Sequence, residues 1–508
     1  MLMSENLFQW FQSRFPKDRD KPALLHPDGS TLSYAELDQE TARLAGWLRG
    51  LDLKPSQPGS PGDRVSAQVP KSVNALLLYL ACLRGGFVFH PMNPAYQREE
   101  LRYFLVNAEP KLVVCAPERQ QQFAELVTSG MQLHTLDDTG SGSLTDAAAN
   151  AEPHTEISST AADNLAALLY SSGTTGRPKG VMLTNRNLRS NAAVLVQAWG
   201  FTNEDVLVHA LPIFHTHGLF VAVGCILGSG ATMHWLPKFD AESVLERLPH
   251  STAFMGVPTH YTRLVQSPGL IPETCRSMRL FVSGSAPLLE ETFRQFQERT
   301  GHTILERYGM TEIGMHLSNP LHGERRAGTV GQPLPEAEIR ICDEQDQPVG
   351  LDTPGGLQVR GPNVFSEYWK LPEKTAEEFT AEGWFRTGDI AQLDANGTVM
   401  LVGRGKDVVI SGGLNVYPKE VEQVLDALPG VLESAVIGVP HPDFGEAVTA
   451  VVVPETGTTL DSSALIAAVR EQLAGFKCPK TVHSLPELPR NAMGKVQKNE
   501  LRKQFGGG

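Results

Sequence analysis

A chain of 508 residues with 41% hydrophobic and 20% charged side chains has apolar mass for several buried cores, which excludes intrinsic disorder. Its formal net charge of -13 argues against a nucleic-acid partner. No apolar run reaches the roughly 18 residues that cross a bilayer, so no membrane partner is expected either.

Six cysteines (Cys82, Cys115, Cys225, Cys275, Cys342, Cys478) form no close pair, which indicates neither a zinc site nor a disulfide framework. The first twenty residues mix Phe and Trp with charges and lack the order of a signal peptide, so a cytoplasmic protein is expected.

Up to about residue 165 helices and strands alternate. Leu37, Ala42, Leu44 and Leu48 recur near helical spacing and predict a helix over 34–48. A strand is expected at 64–69, an apolar helix at 74–84, a short strand at 86–90, a helix at 99–108 and a valine-rich buried strand at 111–115. This rhythm predicts a mainly parallel sheet covered by helices. The small, polar stretch 140–160 reads as a surface linker.

Two strands, 165–170 and 181–183, flank Ser171-Ser172-Gly173-Thr174-Thr175-Gly176-Arg177-Pro178-Lys179-Gly180. Glycines let backbone N–H groups approach a ligand, hydroxyls add short donors, and Lys179 adds a mobile charge, which together make an anion clasp. It departs from the Walker pattern: Pro178 stands where the second glycine belongs, and Gly180 replaces the hydroxyl residue.

The βα pattern continues from 187 to about 299. His215 and His217 follow an apolar strand, where they suit acid–base work, metal ligation or simple hydrogen bonding within a loop. Pro258 is expected to start a helix that places Arg263 one turn beyond Thr259, and Pro287 to start another after the strand ending at Ser283. In Glu306-Arg307-Tyr308-Gly309-Met310-Thr311-Glu312, Tyr308 suits stacking on a purine, Thr311 suits a phosphate oxygen, and Glu312 suits Mg²⁺.

Residues 328–403 read as a small β-subdomain with strands at 337–342, 356–360 and 398–402. A glycine-spaced break, Gly403-Arg404-Gly405-Lys406-Asp407, sets the expected boundary between an N-terminal domain, 1–405, and a C-terminal domain, 406–508. The latter reads as α+β: Val421, Val424, Leu425 and Leu428 share a helix face, and β-rich runs follow at 435–439 and 447–453. Eight Lys or Arg against three Glu make 470–505 locally basic, which suits either a solvated face or a polyanion such as a nucleotide or coenzyme A.

The segment Ser171–Gly180, Pro212-Ile213-Phe214-His215, Val282–Leu288, Tyr308–Glu312, Thr387-Gly388-Asp389 with Arg404, and Pro489–Val496 with Gly494-Lys495 resemble, in the same order, the motifs of adenylate-forming enzymes. These are the acyl-CoA synthetases, carrier-protein adenylation domains and luciferases. The resemblance spans about Pro22 to Gln504. It implies an α/β fold: a large N-terminal domain of stacked α/β subdomains plus a small β-subdomain, followed by a small mobile α+β C-terminal domain.

The resemblance also implies site roles. Ser171, Ser172, Gly173, Thr174, Thr175, Gly176 and Lys179 would hold phosphates. Ser285, Ala286, Pro287, Glu306, Arg307, Tyr308 and Gly309 would line the nucleotide, with Asp389 and Arg404 on the ribose. Lys495, His215, Thr311 and Glu312 would be catalytic, with Glu312 on Mg²⁺. Lys406 would be the hinge, and Ser411, Gly412 and Gly413 the coenzyme A channel. The co-substrates are then ATP and CoA. Lys495 would also be a target for an acetyltransferase and a deacetylase, because neutralising it would switch off adenylation.

Within the family the sequence looks like the malonyl-CoA synthetases, with His217, Ser285, Arg263 and Arg307 around the acid. A fatty acid would strand buried guanidinium groups, whereas a second carboxylate would pair with them. Ile313-Gly314-Met315-His316 departs from that group and leaves malonate and methylmalonate both open. The alternatives are a short-chain or aryl acyl-CoA synthetase, or a carrier-protein-loading enzyme. Amino-acid-activating members carry a pocket Asp that His215-Thr216-His217 does not offer.

Overall fold

Two largely parallel sheets carry the first two-thirds of the chain. The computed structural model describes residues 5–171, 178–411, 414–441, 444–491 and 494–506. The first sheet has six strands in the order Gln132–Thr135, Leu112–Cys115, Arg64–Gln68, Val88–Pro91, Leu165–Ser171 and Lys179–Thr184. All pairs are parallel except the last, which is antiparallel.

The second sheet has nine strands. Its parallel centre runs Leu305–Met310, Leu280–Ser283, Ala253–Gly256, Val206–His209, Thr232–Trp235 and Pro22–Leu25. Register aligns the carboxyl ends of three of these, with Met255 facing His209 and Gly256 facing Ser283, while Leu305–Met310 runs on past them from Glu306, which faces Ser283. Loops leaving those ends must therefore lie side by side, where open α/β sheets place their ligands.

One apolar cluster runs through both sheets. The helix Val73–Gly85 is apolar on every side and buried from Ala75 onward, as an all-round hydrophobic helix requires. Each fully buried leucine in it, such as Leu76 or Leu80, contributes roughly 1.5–3 kcal/mol. Glu338–Cys342, Gly355–Arg360, Phe385–Leu393 and Val399–Arg404 form a separate four-stranded antiparallel sheet. A five-stranded sheet from Val409 to Ser484 has its own core around Val421, Val436 and Val448.

Two expectations are corrected. The helix after Ser283 is Glu290–Thr300, so Pro287 lies ahead of it; Leu289 is extended, and Glu290 and Glu291 supply the first-turn charge that favours the start there. The stretch 140–160 holds a short helix, Ser143–Ala148, whose Leu144 and Ala148 are buried at i, i+4 spacing. Among the described residues no helix is long and apolar enough to cross a membrane.

Candidate active site

On the nine-stranded side, Arg307 leaves the strand Leu305–Met310 and is 4% exposed. Its Nε and Nη2 have no hydrogen-bond partner. Burial pushes the guanidinium down to about 9. The close approach needs a glycine opposite it: a Cβ on Gly284 would sit 2.3 Å from Arg307 Cζ. Beside it His217 is 1% exposed with an unpartnered Nε2, and Ser285 Oγ lies 3.4 Å from its Nδ1. Burial, then Arg307, push both His215 and His217 down, His215 to about 4, so both imidazoles are neutral at pH 7. Ser283 Oγ and Thr216 Oγ1 are also buried without partners.

Several unpartnered donors around one buried cation make a socket for an anion, since each would otherwise carry its desolvation cost. Ser285 supports the arrangement with a left-handed backbone, φ 74°, that a non-glycine residue rarely adopts.

The phosphate side is organised by Glu312. The strands Leu305–Met310 and Gly314–Ser318 form a hairpin whose turn carries Thr311 and Glu312. Gly309 has no room for a side chain, because a Cβ would meet Gly314 O at 2.0 Å. Glu312 Oε1 accepts from Ser171 Oγ at 2.8 Å and from Tyr368 OH at 3.2 Å. Tyr368 OH lies equally close to Glu378 Oε2. Glu378 in turn pairs with Lys179 at 2.7 Å, and the ammonium rests 4.1 Å over the Tyr368 ring.

Glu312 is 3% exposed, and burial raises its carboxyl above the usual range. A hard, buried, single carboxylate suits Mg²⁺ when phosphates and water supply the other ligands. Among the described residues no group of three or more His, Cys, Asp or Glu gathers to hold a metal alone.

Asp389 stands between the sheets' contributions. Tyr308 OH donates to its Oδ2 at 2.6 Å, and Arg404 Nε pairs with its Oδ1 at 3.0 Å. A fixed, charged acceptor of this kind can take both hydroxyls of a ribose. Glu306, next in the strand, is turned elsewhere: burial raises its carboxyl to about 8, and amides of Leu288 and Gly328 oppose that shift. Ala286 lies in the bend after Gly284, and Pro287 follows it ahead of the helix Glu290–Thr300.

The C-terminal unit closes over this region. A Cβ on Gly494 would come 3.3 Å from Thr259, on the first turn of the helix Pro258–Gln266. Burial holds the Lys495 ammonium at about 8, with Arg404 lowering it further and Asp389 opposing. Lys406 lies in the turn Gly405–Asp407, and Asp407 pairs with Arg502 at 2.7 Å. Ser411 is buried at the end of its strand. Ser172, Gly173, Thr174, Thr175 and Gly176 lie outside the described residues, as do Gly412 and Gly413.

Arg263 requires a correction. It lies on the exposed face of its helix, while Tyr261, Leu264 and Val265 are buried. At 100° per residue the core-facing phase cannot include position 263. The premise of a stranded buried guanidinium holds at Arg307 and fails at Arg263. Sequence reasoning also missed Tyr368 and Glu378, which reach Glu312 and Lys179, and Lys71, which reaches His209. No local pattern marks these residues, because their partners are distant in the chain.

Residues 11–369 match the family model of the AMP-binding enzyme, and residues 420–495 match that of the AMP-binding enzyme C-terminal domain. A malonate–CoA ligase of Bos taurus is 37% identical over 97% of this chain and 89% of its own. A feruloyl-CoA synthase of Amycolatopsis is 36% identical over 99% of this chain and all of its own. The crystal structure of ATP-bound MatB from Rhodopseudomonas palustris is 50% identical, covers 99% of both chains and superposes with a TM-score of 0.96. The apo form of MatB, at the same identity and coverage, gives 0.86, so the closed arrangement described above is nearer to the ATP-bound form. On motifs, sheets and site alike, this chain belongs to the AMP-binding enzyme family.

Proposed function

We propose that this enzyme joins malonate, or its 2-methyl homologue, to coenzyme A in an ATP-dependent reaction through an acyl-adenylate. The observation that carries the proposal is the buried Arg307, with two unpartnered nitrogen atoms beside the unpartnered Nε2 of His217. A carboxylate at the far end of a short diacid satisfies both, bidentately at the guanidinium. The near carboxylate then faces Lys495. Its oxygen attacks the α-phosphorus, the bond to the β-phosphate breaks, and pyrophosphate leaves. Catalysis in such a step is mainly positioning and charge stabilisation.

The residues divide that work. Asp389, Arg404 and Tyr308 hold the nucleoside, while Ser171, Thr311 and Lys179 meet the phosphates. Glu312 would hold Mg²⁺, which neutralises phosphate charge when bound. Lys495 meets the reacting oxygens. In the second step the coenzyme A sulfur attacks the acyl carbon and AMP leaves. Neutral His215 borders the thiol's route and accepts a hydrogen bond there. Units 1–405 and 406–508 turn about Lys406, withdrawing Lys495 and presenting the channel at Ser411, Gly412 and Gly413.

Steady-state kinetics on malonate, methylmalonate, acetate, butyrate and 4-coumarate with free CoA test the proposal. We expect kcat/KM for malonate or methylmalonate to exceed each monoacid by about a hundredfold or more, because a site built for a polar group rejects analogues that leave it unpaired. The feruloyl-CoA synthase relative favours an aryl acid as the second reading. The highest kcat/KM on 4-coumarate would establish that one instead.

Reversible acetylation of Lys495 belongs to the same proposal. An amine held at about 8 is partly uncharged near neutrality and therefore nucleophilic, and acetylation removes the charge adenylation needs. Mass spectrometry of protein isolated from cells is expected to find acetyl-Lys495; a wholly unmodified peptide would remove this part. A cytoplasmic location is also part of the proposal, supported by six buried free thiols of the kind a reducing compartment maintains.

A further inference from the structure

Lys71 takes no part in the roles assigned above, yet it joins the two large sheets at their ligand-facing ends. It follows the strand Arg64–Gln68 and precedes Ser72, the N-cap of the helix Val73–Gly85. Its amine crosses to the nine-stranded sheet, where it lies 2.8 Å from both His209 Nδ1 and His209 O. The same amine rests 4.2 Å over the Trp235 ring, whose centroid is 4.9 Å from that of His209.

A carbonyl oxygen only accepts and burial keeps the ring neutral, so His209 Nε2 carries the hydrogen and the bare Nδ1 accepts from Lys71. That hydrogen goes to Gly218 O at 2.9 Å. The loop 210–217 is thereby tied at its start by the His209 backbone and at its end by Gly218. The tie is close, because a Cβ on Gly218 would meet Pro212 O at 2.0 Å. This loop carries His215 and His217 to Arg307. Burial pushes the Lys71 amine far below the ordinary lysine value, and the contacts to His209 Nδ1 and O need only its N–H donors, which the neutral amine keeps.

We propose that Lys71 is a positioning residue for acid recognition, acting through His209 to hold the 210–217 loop and, with it, His217 against Arg307. The inference rests on the function proposed above. A lysine that merely fastened two sheets would affect the acid and the nucleotide alike, whereas a positioning residue acts on the acid alone.

The test compares wild type, Lys71→Met, His217→Ala and the double variant in steady-state kinetics. Lys71→Met is expected to raise KM for malonate about tenfold, with KM for ATP within about twofold of wild type. In the His217→Ala background the same change is expected to cost less than about twofold, because both act through one contact. An unchanged KM for malonate, a parallel rise in both KM values, or an undiminished tenfold effect in the His217→Ala background would each overturn the proposal. Lys71→Gln, which keeps a donor without the charge, is read by the same criteria where Lys71→Met does not fold. Wild-type turnover of malonate separately decides the underlying function; where another acid is preferred, the cycle is run on that acid and still decides the role of Lys71.

Discussion

Lys495→Ala is expected to lower malonate-dependent ATP–pyrophosphate exchange by about 10²–10³-fold, the usual cost of removing one preorganised charge donor. Formation of malonyl-CoA from preformed malonyl-adenylate is expected to stay within about twofold of wild type, because the closed position of Lys495 serves only the first step. In the closed arrangement burial and Arg404 hold the ammonium at about 8. The charged form needed for adenylation is therefore full below that value and lost as pH rises through it. Bound triphosphate favours the charged form, so exchange is expected to fall on the alkaline side with an apparent pKa at or above about 8. That limb should vanish from the residual profile of Lys495→Ala. Exchange retained in the variant would remove Lys495 from the reaction.

Much of this site could be read from local pattern, and the reason differs by residue. Glu312 sits in a hairpin turn, Asp389 in mid-strand directly opposite Arg404, and Lys495 in the short turn closed by the Arg490–Val496 bridge, so each sequence motif maps onto one local backbone feature. Pro258 starts its helix as its fixed φ favours, whereas Pro287 does not, because Glu290 and Glu291 make a better first turn further on. Arg263 and Arg307 looked alike as residue types. Only the phase of a helix against a core separates an exposed guanidinium from a buried one, and that phase depends on Tyr261, Leu264 and Val265 packing inward. Lys71 was beyond local reading altogether, since its partner His209 lies 138 residues away on another sheet.

Arg307→Leu is expected to lower kcat/KM for malonate by about a thousandfold while raising the thermal stability of the ligand-free enzyme. The first effect follows from removing the charged partner of a buried carboxylate. The second follows from the sign of the shift. Burial holds the guanidinium at about 9, below its ordinary 12.5, so the unfolded chain binds that proton more tightly than the folded one. The burial penalty is complete below about pH 9 and eases only as pH rises toward 12.5. At pH 7 the variant escapes all of it, and exchanging a poorly compensated buried charge for an apolar side chain is worth about 1–4 kcal/mol. Malonate with AMP should raise the melting temperature of wild type, by mass action, and not that of Arg307→Leu. Gly284→Ala separates geometry from charge. Its Cβ displaces the guanidinium, so malonate kcat/KM should fall comparably, but the buried cation persists and no stability is gained. A variant at either position that kept full malonate turnover would place the far carboxylate elsewhere, and an unstabilised Arg307→Leu would mean that the guanidinium is compensated in the ligand-free enzyme.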